Sequence, residues 1–71
     1  MQRYTIEQIR SELEQKRGES FTDEAFKTLL TGFADYAMRQ HLYSVVAVFK
    51  ARKRGWMSVR MAHFFRQYAA Q

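Results

Sequence analysis

Interruptions to helical structure are scarce in this sequence. Proline is absent and glycine occurs only three times among 71 residues, so few positions oppose a long helix. Cysteine is also absent, which excludes disulfides and thiolate metal sites as supports for a small core. A chain of this size then depends on closely packed helices or on oligomerisation for its stability. We therefore expect an all-α fold in a single domain, residues 1–71.

Polar residues that suit helix N-termini divide the chain into segments. These residues are Thr5, Thr22, Ser44 and Ser58. Gly18 and Gly55 each follow a run of Lys and Arg, as is common at helix C-termini. The signals predict a bundle of three to four helices, at about 6–17, 23–40, 44–54 and 58–69. The middle two segments could also form one helix over residues 23–54, about 48 Å long, which would favour a dimer.

The spacing of apolar residues predicts which side chains form the core. The phenylalanines expected there are Phe26, Phe33, Phe49, Phe64 and Phe65. We place Tyr36 and Tyr43 at the surface. Gly32 interrupts a helical pattern at a cost of about 1 kcal/mol relative to alanine, so we interpret it as the point where a neighbouring helix comes close. Residues 45–48 are rich in valine and also suit a strand, but we see no partner strand and favour a helix.

The two halves of the chain differ in net charge, and the whole chain carries +5. Residues 1–37 contain five Lys or Arg and seven Asp or Glu, whereas residues 38–71 contain seven Lys or Arg and no acidic side chain. The cations are densest just before a glycine, at Lys50, Arg52, Lys53 and Arg54. Such residues can simply offset a helix dipole and stay solvated. Solubilising surfaces usually mix both signs, however, so we favour contact with a phosphate-bearing partner.

Residues 47–66 resemble the helix-turn-helix motif of DNA-binding proteins. Ala51 lies where that motif has a small residue in its first helix, and Gly55 lies at the turn four residues later. Met61 and Phe64 lie where the second helix packs back on the first. The sequence departs from the motif at two positions that usually carry apolar side chains, Lys50 and Arg54.

The resemblance implies a recognition helix whose N-terminal end is the segment from Met57 to Arg60. Ser58 and Arg60 would approach base edges there, and His63 would lie farther along the exposed face. Trp56 either packs in the core, which we favour, or stacks on a base or an arginine. The nucleic-acid contacts predicted in this way are Lys50, Arg52, Lys53, Arg54, Trp56, Ser58, Arg60 and His63.

Motifs for catalysis or metal binding are missing from the sequence. It has no glycine-rich phosphate loop and no histidine at a recognisable spacing from a nucleophile, so we do not expect an enzyme. His41 and His63 are far apart with no carboxylate between them, which predicts no metal site, and nothing predicts a cofactor. The longest apolar run, Val45–Phe49, is far shorter than the roughly 18–20 residues of a membrane span. With no signal-peptide stretch either, we expect a cytoplasmic protein.

Two classes of function fit these features. The first is a small nucleic-acid-binding protein, with DNA favoured, that acts as a regulator or accessory factor, with homodimerisation an option. The alternative is a protein-protein interaction module, such as an inhibitor, adaptor or assembly factor, that docks a basic amphipathic helix on an acidic partner. A third and weaker hypothesis is peripheral membrane binding by the same basic segment.

Overall fold

The computed structural model describes residues 2–71, which form four helices and two short strands. The helices are α1 (Ile6–Arg17), α2 (Asp23–Arg39), α3 (Val45–Arg54) and α4 (Val59–Ala69). The strands are β1 (Arg3–Thr5) and β2 (Trp56–Ser58). The small, mostly helical bundle predicted from the sequence is thus confirmed. Met1, which the predicted domain includes, lies outside the described residues.

Side-chain caps start all four helices at the predicted residues. The Thr5 hydroxyl accepts a hydrogen bond from the backbone N–H of Gln8, and the Gln8 side chain accepts one from the backbone N–H of Thr5. The same cap geometry recurs at Thr22, Ser44 and Ser58. Each such cap stabilises a helix by about 1 kcal/mol. Gly18 and Gly55 follow α1 and α3 with φ values of 74° and 88°, a region that glycine adopts without strain.

Residues 40–44 separate α2 from α3, so the middle of the chain forms two helices. His41 has a φ of 58°, in the left-handed region. The backbone N–H of Leu42 then donates to the carbonyl oxygen of Ala37 at 2.9 Å, which closes the end of α2. The alternative of one long helix over residues 23–54 is therefore wrong, and with it goes the reason that helix length gave for a dimer.

The two strands bring the start of the chain beside the connection between α3 and α4. They pair antiparallel, with Arg3 opposite Ser58, and the backbone N–H of Ile6 donates to the carbonyl oxygen of Gly55 at 2.9 Å. The expectation that the chain holds no strand partners is wrong. Three residues on each side are too few to show the alternation by which a strand is recognised in a sequence.

The core lies where α2 packs against α3 and α4 while α1 closes over α4. Its largest fully buried side chains are Phe33, Phe65, Ile9, Met57 and Val48. The ring of Phe65 is central, with its centroid 5.1 Å from that of Phe33 and 6.1 Å from that of Phe26. Burying an aromatic side chain of this kind contributes roughly 1.5–3 kcal/mol, so these rings account for much of the packing between α2 and α4.

The face that α3 presents to the core differs from the predicted one. Val48 and Ala51 are buried, whereas Phe49 is 40% exposed and Val46 is 59% exposed. The placement of Phe49 in the core is therefore wrong, because the contact with α2 selects a different side of this short helix. Two tyrosines expected at the surface are instead half-buried against the core, Tyr36 and Tyr43.

Candidate nucleic-acid interface

The four clustered cations of α3 are all exposed and cover most of its solvent side. With about 100° between successive residues, Lys50, Lys53 and Arg54 share one side of the helix. Arg52 lies on the other flank of the same exposed surface. The cations therefore form a broad arc around α3 rather than a single row, and none of them is covered by the acidic half of the chain.

Carboxylate partners are unevenly distributed among the basic residues. Within residues 2–71, the basic members of the ion pairs are Arg10, Lys16, Arg39 and Arg66. Arg66 donates two hydrogen bonds to Glu12, which lower the pKa of the Glu12 carboxyl and raise the pKa of the Arg66 guanidinium. Beyond residue 40 of the described chain, the basic residues with no such partner are Lys50, Arg52, Lys53, Arg54 and Arg60.

Trp56 lies between the cations of α3 and the first strand. It is half-buried in β2, and its ring centroid is 3.9 Å from the guanidinium carbon of Arg54 and 4.7 Å from that of Arg3. These are cation–π distances, at which the indole attracts each guanidinium group. We call Arg3, Arg54 and Trp56 the Trp56 cluster. The sequence pattern did not indicate Arg3, because only the pairing of β1 with β2 brings it here.

The exposed side of α4 carries a second basic surface with aromatic support. Arg60 and His63 are both exposed on it. The guanidinium carbon of Arg60 is 5.2 Å from the ring centroids of both Tyr43 and Phe64, and the rings of His63 and Phe64 lie edge to face at 5.3 Å. The two rings thus hold the Arg60 side chain without neutralising it. Tyr43, from the α2–α3 connection, is a second residue that the sequence pattern did not assign to the site.

Ser58 has a structural role at the start of α4. Its hydroxyl oxygen accepts a hydrogen bond from the backbone N–H of Met61 at 3.1 Å, while its own O–H stays available as a donor. Residues 55–58 join α3 to α4, a length that helix-turn-helix connections also have. Three of these four residues form β2, however, so the connection is tied to the N-terminus of the chain rather than being a free turn.

Other kinds of site are not evident in the described part of the chain. Between residues 2 and 71, no three His, Cys, Asp or Glu side chains come close enough together to hold a metal ion. In the same range, no helix combines the length and apolar character that crossing a bilayer requires. A shallow cavity of about 360 Å³ is lined by Phe49, Arg52 and Lys53, so exposed apolar surface lies directly beside the cations of α3.

Known proteins offer no assignment for this chain. No protein-family model, no curated protein and no solved structure matched it. The function proposed below therefore rests on the charges, exposure and contacts of the chain's own residues.

Proposed function

We propose that this protein binds nucleic acid, with duplex DNA as the favoured target, and acts as a small regulatory or accessory protein. The observation that carries the proposal is the group of exposed cations without carboxylate partners on α3 and α4. They are Lys50, Arg52, Lys53, Arg54 and Arg60. Cations of this kind neutralise phosphates and release condensed counterions, which supplies most of the affinity of non-specific nucleic-acid binding.

The two helices would divide the contacts between them. The cations of α3 bind backbone phosphates and orient the protein, as positively charged helices do in many complexes. In the helix-turn-helix interpretation, α4 enters the major groove, and Arg60 and His63 reach base edges. Arg60 suits guanine, whose O6 and N7 accept the two parallel N–H groups of a guanidinium. The free O–H of Ser58 can donate to a nearby phosphate.

A matched pair of charge reversals tests the proposal. Lys53 and Lys27 are both exposed helical lysines without an ion-pair partner within residues 2–71, but Lys27 lies on α2 among acidic residues. In a mobility-shift titration with a mixed-sequence duplex, Lys53→Glu should weaken binding roughly tenfold, which corresponds to about 1.4 kcal/mol. Lys27→Glu changes the net charge equally and should have little effect. Equal losses in both variants would mean that only the net charge matters and would contradict a binding surface on α3.

A second function is favoured by the apolar side chains exposed on α3. Val46, Phe49, Lys50 and Lys53 follow the spacing of one helix face, and the first two are 59% and 40% exposed. A face of this composition fits an acidic amphipathic helix of another protein. The variant Val46→Ser/Phe49→Ser distinguishes the two functions. It should leave duplex affinity within about twofold if nucleic acid is the target, whereas it should abolish binding to a designed acidic amphipathic peptide if a protein is the target.

A further inference from the structure

We propose that Arg3 and Arg54 jointly bind one phosphate group of a nucleic-acid backbone, and that Trp56 holds both guanidinium groups in position for it. This inference rests on the proposed function, and it adds the N-terminal strand to the binding site. Its basis is the Trp56 cluster, in which two cations from opposite ends of the sequence meet on one aromatic ring.

The separation of the two guanidinium groups suits a shared anion. Their carbons lie 4.7 and 3.9 Å from the same ring centroid, so they cannot be farther apart than the sum of these distances. A phosphate that accepts hydrogen bonds of about 2.8 Å from two guanidinium groups holds their carbons up to roughly 8 Å apart. Small side-chain movements are therefore enough to bring both groups onto one phosphate.

The donors of both guanidinium groups are free within the described chain. Among residues 2–71, the arginines that donate side-chain hydrogen bonds are Arg10, Arg17 and Arg66. Neither Arg3 nor Arg54 makes an ion pair there. Each guanidinium offers five N–H donors in a planar fork that matches phosphate oxygens. Two like charges on one ring also repel each other, and a bound anion removes that repulsion.

The strand pair places Arg3 at the cluster. Arg3 lies opposite Ser58 in the antiparallel register, and the hydrogen bond from Ile6 to Gly55 fixes the end of β1 against the C-terminus of α3. The site is therefore complete only when β1 is paired with β2. Residues 50–54 alone could not supply it, because Arg3 provides half of the donors.

Trp56 provides a direct spectroscopic readout, because it is the chain's only tryptophan. We would titrate inorganic pyrophosphate while following tryptophan emission, and then titrate a mixed-sequence duplex by mobility shift at several salt concentrations. In the wild type, pyrophosphate should change the emission saturably. Arg3→Gln should weaken that response at least tenfold, and Lys27→Gln, which removes an equal charge elsewhere, should leave it unchanged.

The duplex titration tests whether the same pair binds a nucleic-acid phosphate. Arg3→Gln should weaken duplex binding three- to tenfold and reduce the slope of log Kobs against log salt by about 0.9, the value for one lost phosphate contact. Arg54→Gln should do the same, and it serves as the second variant should Arg3→Gln disturb the strand pair, which circular dichroism would reveal. Wild-type affinity and slope in both variants would overturn the inference.

Failure of the inference and failure of the proposed function give different results. If Arg3→Gln and Arg54→Gln bind duplex normally while Lys53→Glu is impaired, the shared phosphate site is wrong and nucleic-acid binding stands. If the wild type binds neither duplex nor single strands at low salt, both proposals are wrong. A pyrophosphate response that Arg3→Gln leaves intact also contradicts the shared site, since the anion would then be bound elsewhere.

Discussion

Glu12 of α1 and Arg66 of α4 join the two oppositely charged halves of the chain through two hydrogen bonds, at 2.5 and 3.0 Å. The guanidinium carbon of Arg66 also lies 4.6 Å from the ring centroid of Tyr4. Within residues 40–71, Arg66 is the one basic side chain paired with a carboxylate. The acidic half thus neutralises a single cation of this region and leaves the surfaces of α3 and α4 positive.

Glu12→Gln should lower stability at neutral pH and leave it unchanged in strong acid. The pKa of Glu12 is below its ordinary value of 4.5 in the folded protein, so the unfolded chain binds more protons in that range. The stabilisation is therefore complete above about pH 4.5 and is lost as the pH falls through the lowered pKa. We expect a loss of about 0.5–1 kcal/mol at pH 7, since both side chains are partly exposed. Urea unfolding at pH 7 and at about pH 2 measures it, and an equal loss at both pH values would contradict the account.

Gly32→Ala should destabilise the protein although alanine is the better helix former. A Cβ at this position would collide with the hydroxyl oxygen of Tyr68, whose ring packs 5.9 Å from Phe33 and 5.2 Å from Tyr36 between centroids. We expect a net loss of about 1–2 kcal/mol, because the strain outweighs a helix-propensity gain of about 1 kcal/mol. Thermal unfolding of Gly32→Ala with and without Tyr68→Phe tests the cause. Removing the hydroxyl should recover much of the loss, and independent effects of the two substitutions would show that the collision is not responsible.

His41→Gly should leave stability unchanged or raise it by up to about 1 kcal/mol. His41 has a φ of 58°, and a left-handed conformation costs a residue with a Cβ about 1 kcal/mol. Greater freedom of glycine in the unfolded chain offsets part of the gain. The control is His63→Gly in the middle of α4, which should lose roughly 0.5 kcal/mol. Urea unfolding compares the two, and a clear loss for His41→Gly would show that its side chain makes a contact worth more than the strain.

Ser58→Ala should destabilise the protein by about 1 kcal/mol through loss of the α4 cap. The Ser58 hydroxyl accepts a hydrogen bond from the backbone N–H of Met61, which alanine cannot replace. Ser58→Thr keeps a capping oxygen and should recover most of the stability in thermal unfolding. If threonine is as unfavourable as alanine, packing around β2 matters more than the cap.

The helices were predictable because their signals are local. Thr5, Ser44 and Gly55 specify helix ends through contacts within four residues, and such contacts can be recognised in a sequence without knowledge of the fold. Gly32 was interpreted as a close approach between helices, and its contact with Tyr68 confirms this.

The features that the sequence did not reveal depend on contacts between distant segments. The strand pair and the position of Arg3 follow from an antiparallel match between residues 3–5 and 56–58, and neither segment is long enough to show a pattern. Phe49 was placed in the core because its spacing fits an apolar stripe. The contact of α3 with α2 instead buries Val48 and Ala51, which spacing alone does not decide in a helix of ten residues.

The most direct test of the central claim is the salt dependence of duplex binding for the wild type and for Arg52→Glu/Arg54→Glu. If the exposed cations of α3 and α4 neutralise about five phosphates, log Kobs should fall against log salt with a slope near −4.5, and the variant should lose both affinity and part of that slope while its circular dichroism stays unchanged. A wild type that shows no salt-dependent binding to duplex, or a variant that binds as the wild type does, would contradict the claim that this surface binds nucleic acid.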